Sequence, residues 1–284
     1  MNIVQIPGAT RSWLFTPATR PERFANALEC GADVLIVDLE DAVPPAQKAV
    51  ARANVRALLD SSSRGELLPL LAIRINSSSC RFGLKDLLML LDADAAPDFV
   101  LLPKIESPEQ VAQVESLLEG ERTACQGPAP QLVPLIESAR GLAAVGSIAR
   151  AGATVAAVMF GAADYAAEIG AQPDALTLQV ARCEIAAGCA QAGIPAIDAP
   201  CFAVHDPKLL EAELTFAGRN GFKAKAAIHP LHVDAINVAF TPTPERVAWA
   251  RRVIEASEQG VGTVDGRMVD AAVAREAWRI IGTV

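Results

Sequence analysis

The sequence predicts a (β/α)8 barrel followed by a helical extension, and three observations carry that prediction. Short aliphatic runs alternate with amphipathic stretches eight times, at a mean interval of about 30 residues, which matches a barrel of about 250 residues. The runs are almost continuously hydrophobic, as the strands of a parallel sheet covered on both faces must be. Polar and charged residues recur at the C-terminal ends of these runs, the end where this architecture gathers its active-site residues. With 284 residues and 51% hydrophobic composition, the chain can bury a core of that size.

In order, the candidate strands are SWLFTPA (12–18), VLIVDLE (34–40), LLAIRIN (70–76), DFVLLPKI (98–105), QLVPLIES (131–138), TVAAVMFGAA (154–163), PAIDAP (195–200) and KAKAAIHP (223–230). Helix-like stretches follow them, among them Pro21 to Cys30, Pro45 to Leu59 and Pro108 to Glu119. The predicted barrel domain covers residues 1–240. TPTPER then breaks the pattern, with Thr243 as a helix N-cap and Pro244 at the first helical position. Residues 241–284 are expected to form a helical extension outside the barrel.

A net charge of -8 argues against nucleic acid or an anionic membrane as a partner, and one Tyr with three Trp offers no platform for stacking bases. An anionic small molecule would need a local cluster of arginines. The opening MNIVQIPGATRSW has no apolar segment behind a basic start, and no run of about 18 uncharged apolar residues occurs. A soluble, cytoplasmic protein is the expectation. The six cysteines, Cys30, Cys80, Cys125, Cys183, Cys189 and Cys201, are scattered without a CxxC, which favours reduced, packed thiols over zinc or disulfides.

The polar strand ends are Asp38, Glu40 and Asp41 after the second run, Arg74 and Asn76 after the third, Lys104 and Glu106 after the fourth, Glu137 after the fifth and Asp164 after the sixth. A single charged residue there can mark no more than the chain reaching solvent, but five consecutive ends point to a site. Glu137 and Asp164 stand out, because neighbouring parallel strands about 4.8 Å apart would bring their carboxylates together. Two carboxylates without His or Cys are hard oxygen ligands suited to Mg2+, which takes one or two such groups and leaves its other positions to water and substrate. Gly161, Ala162 and Ala163 precede Asp164 and allow close approach. The planar fork of Arg74 suits a substrate carboxylate, with a salt bridge to Glu40 or Asp41 as the structural alternative. Arg20, after the first strand, joins it as a candidate substrate-binding residue.

RSWLFTPATRPERFANALECGADVLIVDLEDAVPPAQKAVAR, LAIRIN, LLPKIESPEQV, LIESARGL, FGAADYAAEIG, GIPAID and KAAIHPLHVDAIN, in this order over nearly the whole chain, resemble the citrate lyase β-subunit and CoA-ester lyase group of the HpcH/HpaI aldolase family. The resemblance implies a TIM barrel of the phosphoenolpyruvate/pyruvate type, Mg2+ dependence, and reversible carbon–carbon cleavage of a 3-hydroxyacyl thioester. By motif it assigns the metal carboxylates to Glu137 and Asp164 and the substrate-gripping arginine to Arg74. DGRMVDAAVA resembles the C-terminal lid whose aspartate, here Asp270, reaches a neighbouring subunit's site, which implies a homotrimer or hexamer. Ala18 stands where the family commonly has glycine, NSSSC replaces its usual Thr-Pro pair, and the second strand ends in Asp38-Leu39-Glu40-Asp41 without the histidine of the pyruvate-aldolase branch.

These parts predict a C–C lyase in which Asp270, Arg74, Asp41 and Glu40 are the catalytic candidates. Asp270 would exchange the proton of the acetyl-type methyl carbon, although it also fits as N-cap of the final helix. Glu40 and Asp41 would order the metal's waters. The thioester substrate is expected on CoA, of the malyl-CoA or citramalyl-CoA type, giving acetyl-CoA and a 2-keto acid. The alternatives are a citrate lyase β-subunit acting on a citryl group carried by an acyl carrier protein, and a non-catalytic assembly partner. Lys104 is left open between facing the mouth and pairing with Glu106, and His229 fits a structural corner better than a catalytic role. His205 and His232 have no nameable partner.

Overall fold

The computed structural model describes residues 10–61, 69–120, 128–258 and 262–282. Eight parallel strands close in sequence order: β1 (Ser12–Pro17), β2 (Val34–Asp38), β3 (Leu70–Arg74), β4 (Phe99–Leu102), β5 (Gln131–Ile136), β6 (Val158–Phe160), β7 (Ala196–Asp198) and β8 (Ala224–Ala227). β8 pairs back onto β1. Every strand lies inside its predicted run. Helices follow in turn: α1 (Glu22–Glu29), α2 (Lys48–Asp60), α3 (Arg81–Asp92), α4 (Pro108–Gly120), α5 (Ala139–Ala143), α6 (Val145–Ile148), α7 (Ala162–Ile169), α8 (Leu176–Ala192), α9 (Pro207–Arg219) and α10 (Val233–Phe240).

Strand alternation divides the core in two. Trp13, Val34, Ile36, Ala72, Phe99, Leu101, Val133, Leu135, Met159, Ile197 and Ala226 fill the barrel interior, where the Trp13 and Phe99 rings pack with centroids 4.9 Å apart. Their strand neighbours Leu35, Val37, Ile73, Val100, Leu132, Ile136 and Val158 face outward and pack on helix residues such as Val55, Leu87, Val114 and Ile185. Both faces of each strand are therefore dry, which is why the runs read as continuous hydrophobics.

Two adjacent outward positions are charged, Asp198 of β7 and Lys225 of β8. Asp198, at the end of β7, accepts two hydrogen bonds from Arg182 of α8, at 2.9 and 2.7 Å, and one from Lys225 of β8 at 2.7 Å. Glu213 of α9 lies 2.8 Å from the same ammonium, and the Arg182 guanidinium stacks 4.2 Å from the Phe216 ring. Two cations and two anions close this buried network with no net charge.

The extension holds α11 (Pro244–Glu258), β9 (Gly262–Val264), β10 (Arg267–Val269) and α12 (Ala271–Ile281). The Thr243 hydroxyl accepts from the N–H of Arg246 at 3.3 Å, as a cap should. The antiparallel β9–β10 hairpin departs from the helical extension that the sequence predicts. Its turn residues Asp265 and Gly266 have φ of 51° and 75°, the pair of left-handed residues that a two-residue hairpin turn demands and Asp-Gly supplies. Ala250, Val253, Val269 and Ala277 give the extension a small core of its own. Glu276 and Arg279 of α12 lie within electrostatic reach of Lys223, just before β8, so α12 sits by the N-terminal ends of the strands and away from its own barrel's C-terminal rim.

Candidate active site

The inward-facing alternation, carried one step past the last apolar residue, builds the site. Val34 and Ile36 lead to Asp38, Ala72 to Arg74, Val133 and Leu135 to Glu137, and Ala157 and Met159 to Gly161. Strand register pairs Asp38 with Arg74 directly. Arg74 donates from Nε to Oδ1 and from Nη2 to Oδ2 of Asp38, both at 2.7 Å, the bidentate fork that fixes a guanidinium plane. Asp38 also accepts the N–H groups of Glu40 and Ala42, at 2.8 and 3.1 Å. Asp38 is thereby saturated and orients Arg74 and the β2 loop.

Arg74 keeps Nη1 toward Glu40 Oε2 at 3.1 Å and Asp41 Oδ2 at 3.5 Å, and its guanidinium lies 5.0 Å from the Phe15 ring. Burial works against the charge, but Asp38, Glu40 and Asp41 outweigh it and raise the pKa, so Arg74 stays a cation. The salt bridge to Glu40 and Asp41 is thus present, with Asp38 as the stronger partner.

Glu40 is buried. Oε1 accepts from Lys104 Nζ at 2.6 Å, whereas Oε2 makes no hydrogen bond in spite of its closeness to Arg74. Burial raises the Glu40 pKa, with Arg74 and Lys104 opposing. The Glu40 backbone is held from behind, because the buried ammonium of Lys48 donates to the carbonyls of Leu39 and Glu40, each at 2.7 Å, and to Asn76 Oδ1 at 2.6 Å. Asn76 in turn donates to Asp86 Oδ2 at 2.6 Å and serves this support. Asp41 is half exposed at the mouth, 3.5 Å from Lys104 Nζ.

Lys104 faces the mouth and pairs with Glu40, while Glu106 turns aside to Ser138 at 2.9 Å and Arg140 at 3.6 Å. The hydrogen bond to Glu40 and the charges of Glu40 and Asp41 overcome burial and raise the Lys104 pKa. Its backbone N–H donates to Glu137 Oε2 at 2.7 Å. Glu137 is 4% exposed, and burial together with the negative charge of Glu40 pushes its carboxyl up to about 8, against the pull of Arg74 and with Asp164 adding to the rise.

Asp164 does not end a strand, contrary to the sequence expectation. β6 stops at Phe160, Gly161 caps α7, and Asp164 sits half-buried in the first turn of that helix, where the helix dipole favours an anion. A β-carbon on Gly161 would come within 2.3 Å of Glu137 Cγ and 2.7 Å of Oε1, so glycine is what lets the Glu137 carboxylate lie over this turn. Among the described residues no three His, Cys, Asp or Glu side chains form a ready-made metal cage. The donor set fits a hard divalent cation that keeps most of its shell for water or substrate: two carboxylates, a glycine cradle, and the unbonded buried oxygen of Glu40 nearby.

Arg20 lies past β1, 59% exposed, with its nearest ion partner Glu22 at 3.7 Å. Asp270 is exposed and caps α12, with Oδ1 accepting from Ala272 and Val273 N–H at 2.8 and 2.9 Å; the cap does not need Oδ2. His229 Nδ1 accepts from Leu231 N–H at 3.2 Å, a corner contact, and the buried His232 meets the Val204 carbonyl at 3.1 Å. The five described cysteines are free, and burial raises Cys189 to about 12; Cys125 lies outside the described residues. No described helix is long and apolar enough to cross a membrane. The orienting role of Asp38 and the backbone role of Lys104 were not foreseen, since both depend on register and φ.

The family model for HpcH/HpaI aldolase/citrate lyase matches residues 11–230. The citrate lyase subunit beta-like protein of Mycobacterium tuberculosis (strain ATCC 25618 / H37Rv) is 36% identical over 96% of this chain and 95% of its own. The L-malyl-CoA/beta-methylmalyl-CoA lyase of Cereibacter sphaeroides (strain ATCC 17025 / ATH 2.4.3) is 31% identical over 95% and 93%. Among solved structures, CitE from M. tuberculosis in complex with magnesium, acetoacetate and coenzyme A aligns at 32% identity and TM-score 0.78, covering 97% of this chain and 98% of that one. RipC from Yersinia pestis aligns at 43% identity and TM-score 0.72, covering 84% and 98%. Strand order, the rim constellation and these matches agree, and the chain belongs to the HpcH/HpaI aldolase/citrate lyase family, as a carbon–carbon lyase.

Proposed function

We propose that this enzyme is a Mg2+-dependent lyase that reversibly cleaves a 3-hydroxyacyl-CoA thioester of the malyl-CoA or citramalyl-CoA type into acetyl-CoA and a 2-keto acid. The observation that carries the reading is the pairing, at one barrel mouth, of the Glu137–Asp164 side with an arginine already fixed by Asp38. Mg2+ held by Glu137 and Asp164 would supply the Lewis acid that polarises the oxygens of the keto-acid half. Arg74, locked in plane, offers its third nitrogen to the negative charge that develops as the carbon–carbon bond breaks. Its present company, Glu40 and Asp41, marks where a more acidic oxygen of the substrate would compete. Arg20 is free enough on the rim to meet an anionic part of the thioester.

Cleavage gives up the 3-hydroxyl proton to water at the open mouth as the C–O bond becomes a carbonyl, and leaves an enolate of the thioester, which needs a proton on the carbon that becomes the methyl group. We assign that proton to Asp270 of a neighbouring copy, acid in cleavage and base in condensation. The position of α12 by the far end of its own barrel supports donation in trans. So do apolar surfaces on both sides of such a contact: Met268 and Trp278 on the extension, and Phe202, Ile228 and Leu231 beyond β7 and β8, are all exposed. This reading requires at least a dimer, the family resemblance favours a homotrimer or hexamer, and residues 241–284 would be the lid.

A citryl thioester on an acyl carrier protein is the second reading, favoured by the beta-subunit-like relative. The coenzyme A in the aligned CitE structure favours the free CoA ester. The test is a panel of malyl-CoA, citramalyl-CoA and citryl-carrier thioesters with Mg2+, reading out acetyl-CoA and keto acid, beside the Glu137→Gln and Asp164→Asn variants. Wild-type cleavage of a CoA ester, lost in both variants together with tight Mg2+ binding, is the expected result. Turnover of the carrier thioester with no CoA ester accepted would replace the first reading by the second.

A further inference from the structure

Lys104 is the strained residue of the rim. Among the described residues, two non-glycine positions have positive φ, Asp265 at 51° and Lys104 at 54°. Asp265 has a local reason in the tight turn of its hairpin. Lys104 has no such turn, and lysine lacks the short polar side chain that eases aspartate into the left-handed region. A conformation of this kind persists where the surroundings over-determine it. Here the N–H of Lys104 donates to Glu137 Oε2 at 2.7 Å, the next N–H, of Ile105, donates to the Leu135 carbonyl at 3.3 Å, and Nζ holds Glu40 Oε1 at 2.6 Å.

One residue thus governs two acids by two routes. The backbone amide occupies Oε2 of Glu137 and leaves Oε1 on the side of Gly161, where a β-carbon would come within 2.7 Å of it. Gly161 caps α7, the helix whose first turn carries Asp164. The ammonium holds Glu40 between itself and Arg74.

We propose that Lys104 is a positioning residue with two separable parts: its left-handed backbone aims Glu137 at the divalent cation, and its ammonium sets Glu40 against Arg74. The proposal rests on Glu137 being a cation ligand, and the control below separates the two. In Lys104→Gly the left-handed turn costs nothing sterically and persists without the ammonium. In Lys104→Ala the β-carbon keeps the strain while the tether that held it is gone, so the amide swings away from Glu137.

Mg2+ titration calorimetry on the cation-free protein, with steady-state kinetics and melting temperature for each variant, reads the two parts apart. Lys104→Gly is expected to bind Mg2+ within about threefold of wild type while kcat falls about tenfold, because Arg74 and Glu40 lose their setting. Lys104→Ala is expected to bind Mg2+ about tenfold more weakly than Lys104→Gly. Glycine rescuing alanine in affinity is a result that a purely structural lysine would not give, since that would lower the melting temperature and leave the Mg2+ Kd unmoved. Equal Mg2+ affinity in the glycine and alanine variants overturns the backbone half, and wild-type kcat in Lys104→Gly overturns the ammonium half. Glu137→Gln is the control: if it loses Mg2+ binding, those outcomes bear on Lys104 itself, and if it binds as wild type does, the ligand assignment falls first.

Discussion

Asp38 and Asp198 end strands β2 and β7, and each grips an arginine with both oxygens, Asp38 at 2.7 and 2.7 Å and Asp198 at 2.9 and 2.7 Å. The same motif does different work because strand alternation points it differently. Val37 faces the helices, so Asp38 faces the barrel mouth; Ile197 faces the interior, so Asp198 faces the helices. Around Asp198, Arg182, Lys225 and Glu213 close a neutral set in a dry layer. Around Asp38 the set stays open, with Asp41 and Lys104 about half exposed and Glu40 Oε2 unbonded. Closure holds the helices on the sheet, and openness leaves charge available for a ligand.

Removing one acid from each set should separate stability from activity. The largest effect is expected for Asp198→Asn, which leaves Arg182 and Lys225 with Glu213 as their one remaining anion and should cost about 3–5 kcal/mol, or about 10 °C in melting temperature, with residual folded enzyme retaining its kcat. A melting temperature within two or three degrees of wild type, or a loss of kcat exceeding the loss of folded protein, would break the comparison. Asp38→Asn should do the reverse: kcat/KM down by about 100-fold as Arg74 loses its plane, with a melting shift clearly smaller than that of the β7 variant, since Arg74 can turn to Glu40, Asp41 and water.

Asp270→Ser sharpens the catalytic side, because serine keeps the cap on α12 but cannot exchange a carbon-bound proton at neutral pH. Exchange of acetyl-CoA methyl protons with deuterated water should slow by about 100-fold with the melting temperature little changed; exchange at the wild-type rate would leave Asp270 as a cap. The smallest effect concerns pH. Glu137 is raised from its ordinary 4.5 to about 8, so the folded, cation-free protein holds a proton that the unfolded chain releases. That contribution to stability is complete below about 4.5 and is lost as pH rises through about 8. Melting temperature without divalent cations should therefore decline across this window, while Mg2+ affinity rises with pH by at most about tenfold per unit and levels off above 8, because the cation displaces the Glu137 proton. A flat Mg2+ affinity between pH 6 and 8 would show that no Glu137 proton is displaced on binding, and so remove either its raised pKa or its place in the ligand set.

The barrel was legible in the sequence for a reason specific to parallel sheets: strands dry on both faces stay hydrophobic at every position, so VLIVD and FVLL stand out against amphipathic helices. Arg74 and Glu137 were legible because they interrupt such runs. Asp164 was misplaced by element, since FGAAD carries no mark of where strand ends and helix begins. The role of Asp38 depended on whether it faced the mouth or the helices, and the TVAAVMFGAA run shows why that parity is hidden, yielding a strand of three residues inside ten hydrophobic-looking ones. The φ of Lys104 leaves no trace in composition. The β9–β10 hairpin did leave one, in Val264-Asp265-Gly266, but its strands are three residues each and offer no alternation to count.

The separate core of the extension makes it a transferable part. Ala250, Val253, Val269 and Ala277 satisfy one another without borrowing from the barrel. If the extension closes a neighbouring mouth as proposed, its own core would let that closure be reshaped by changes in residues 241–284 while the strands that hold Glu137 and Arg74 remain untouched.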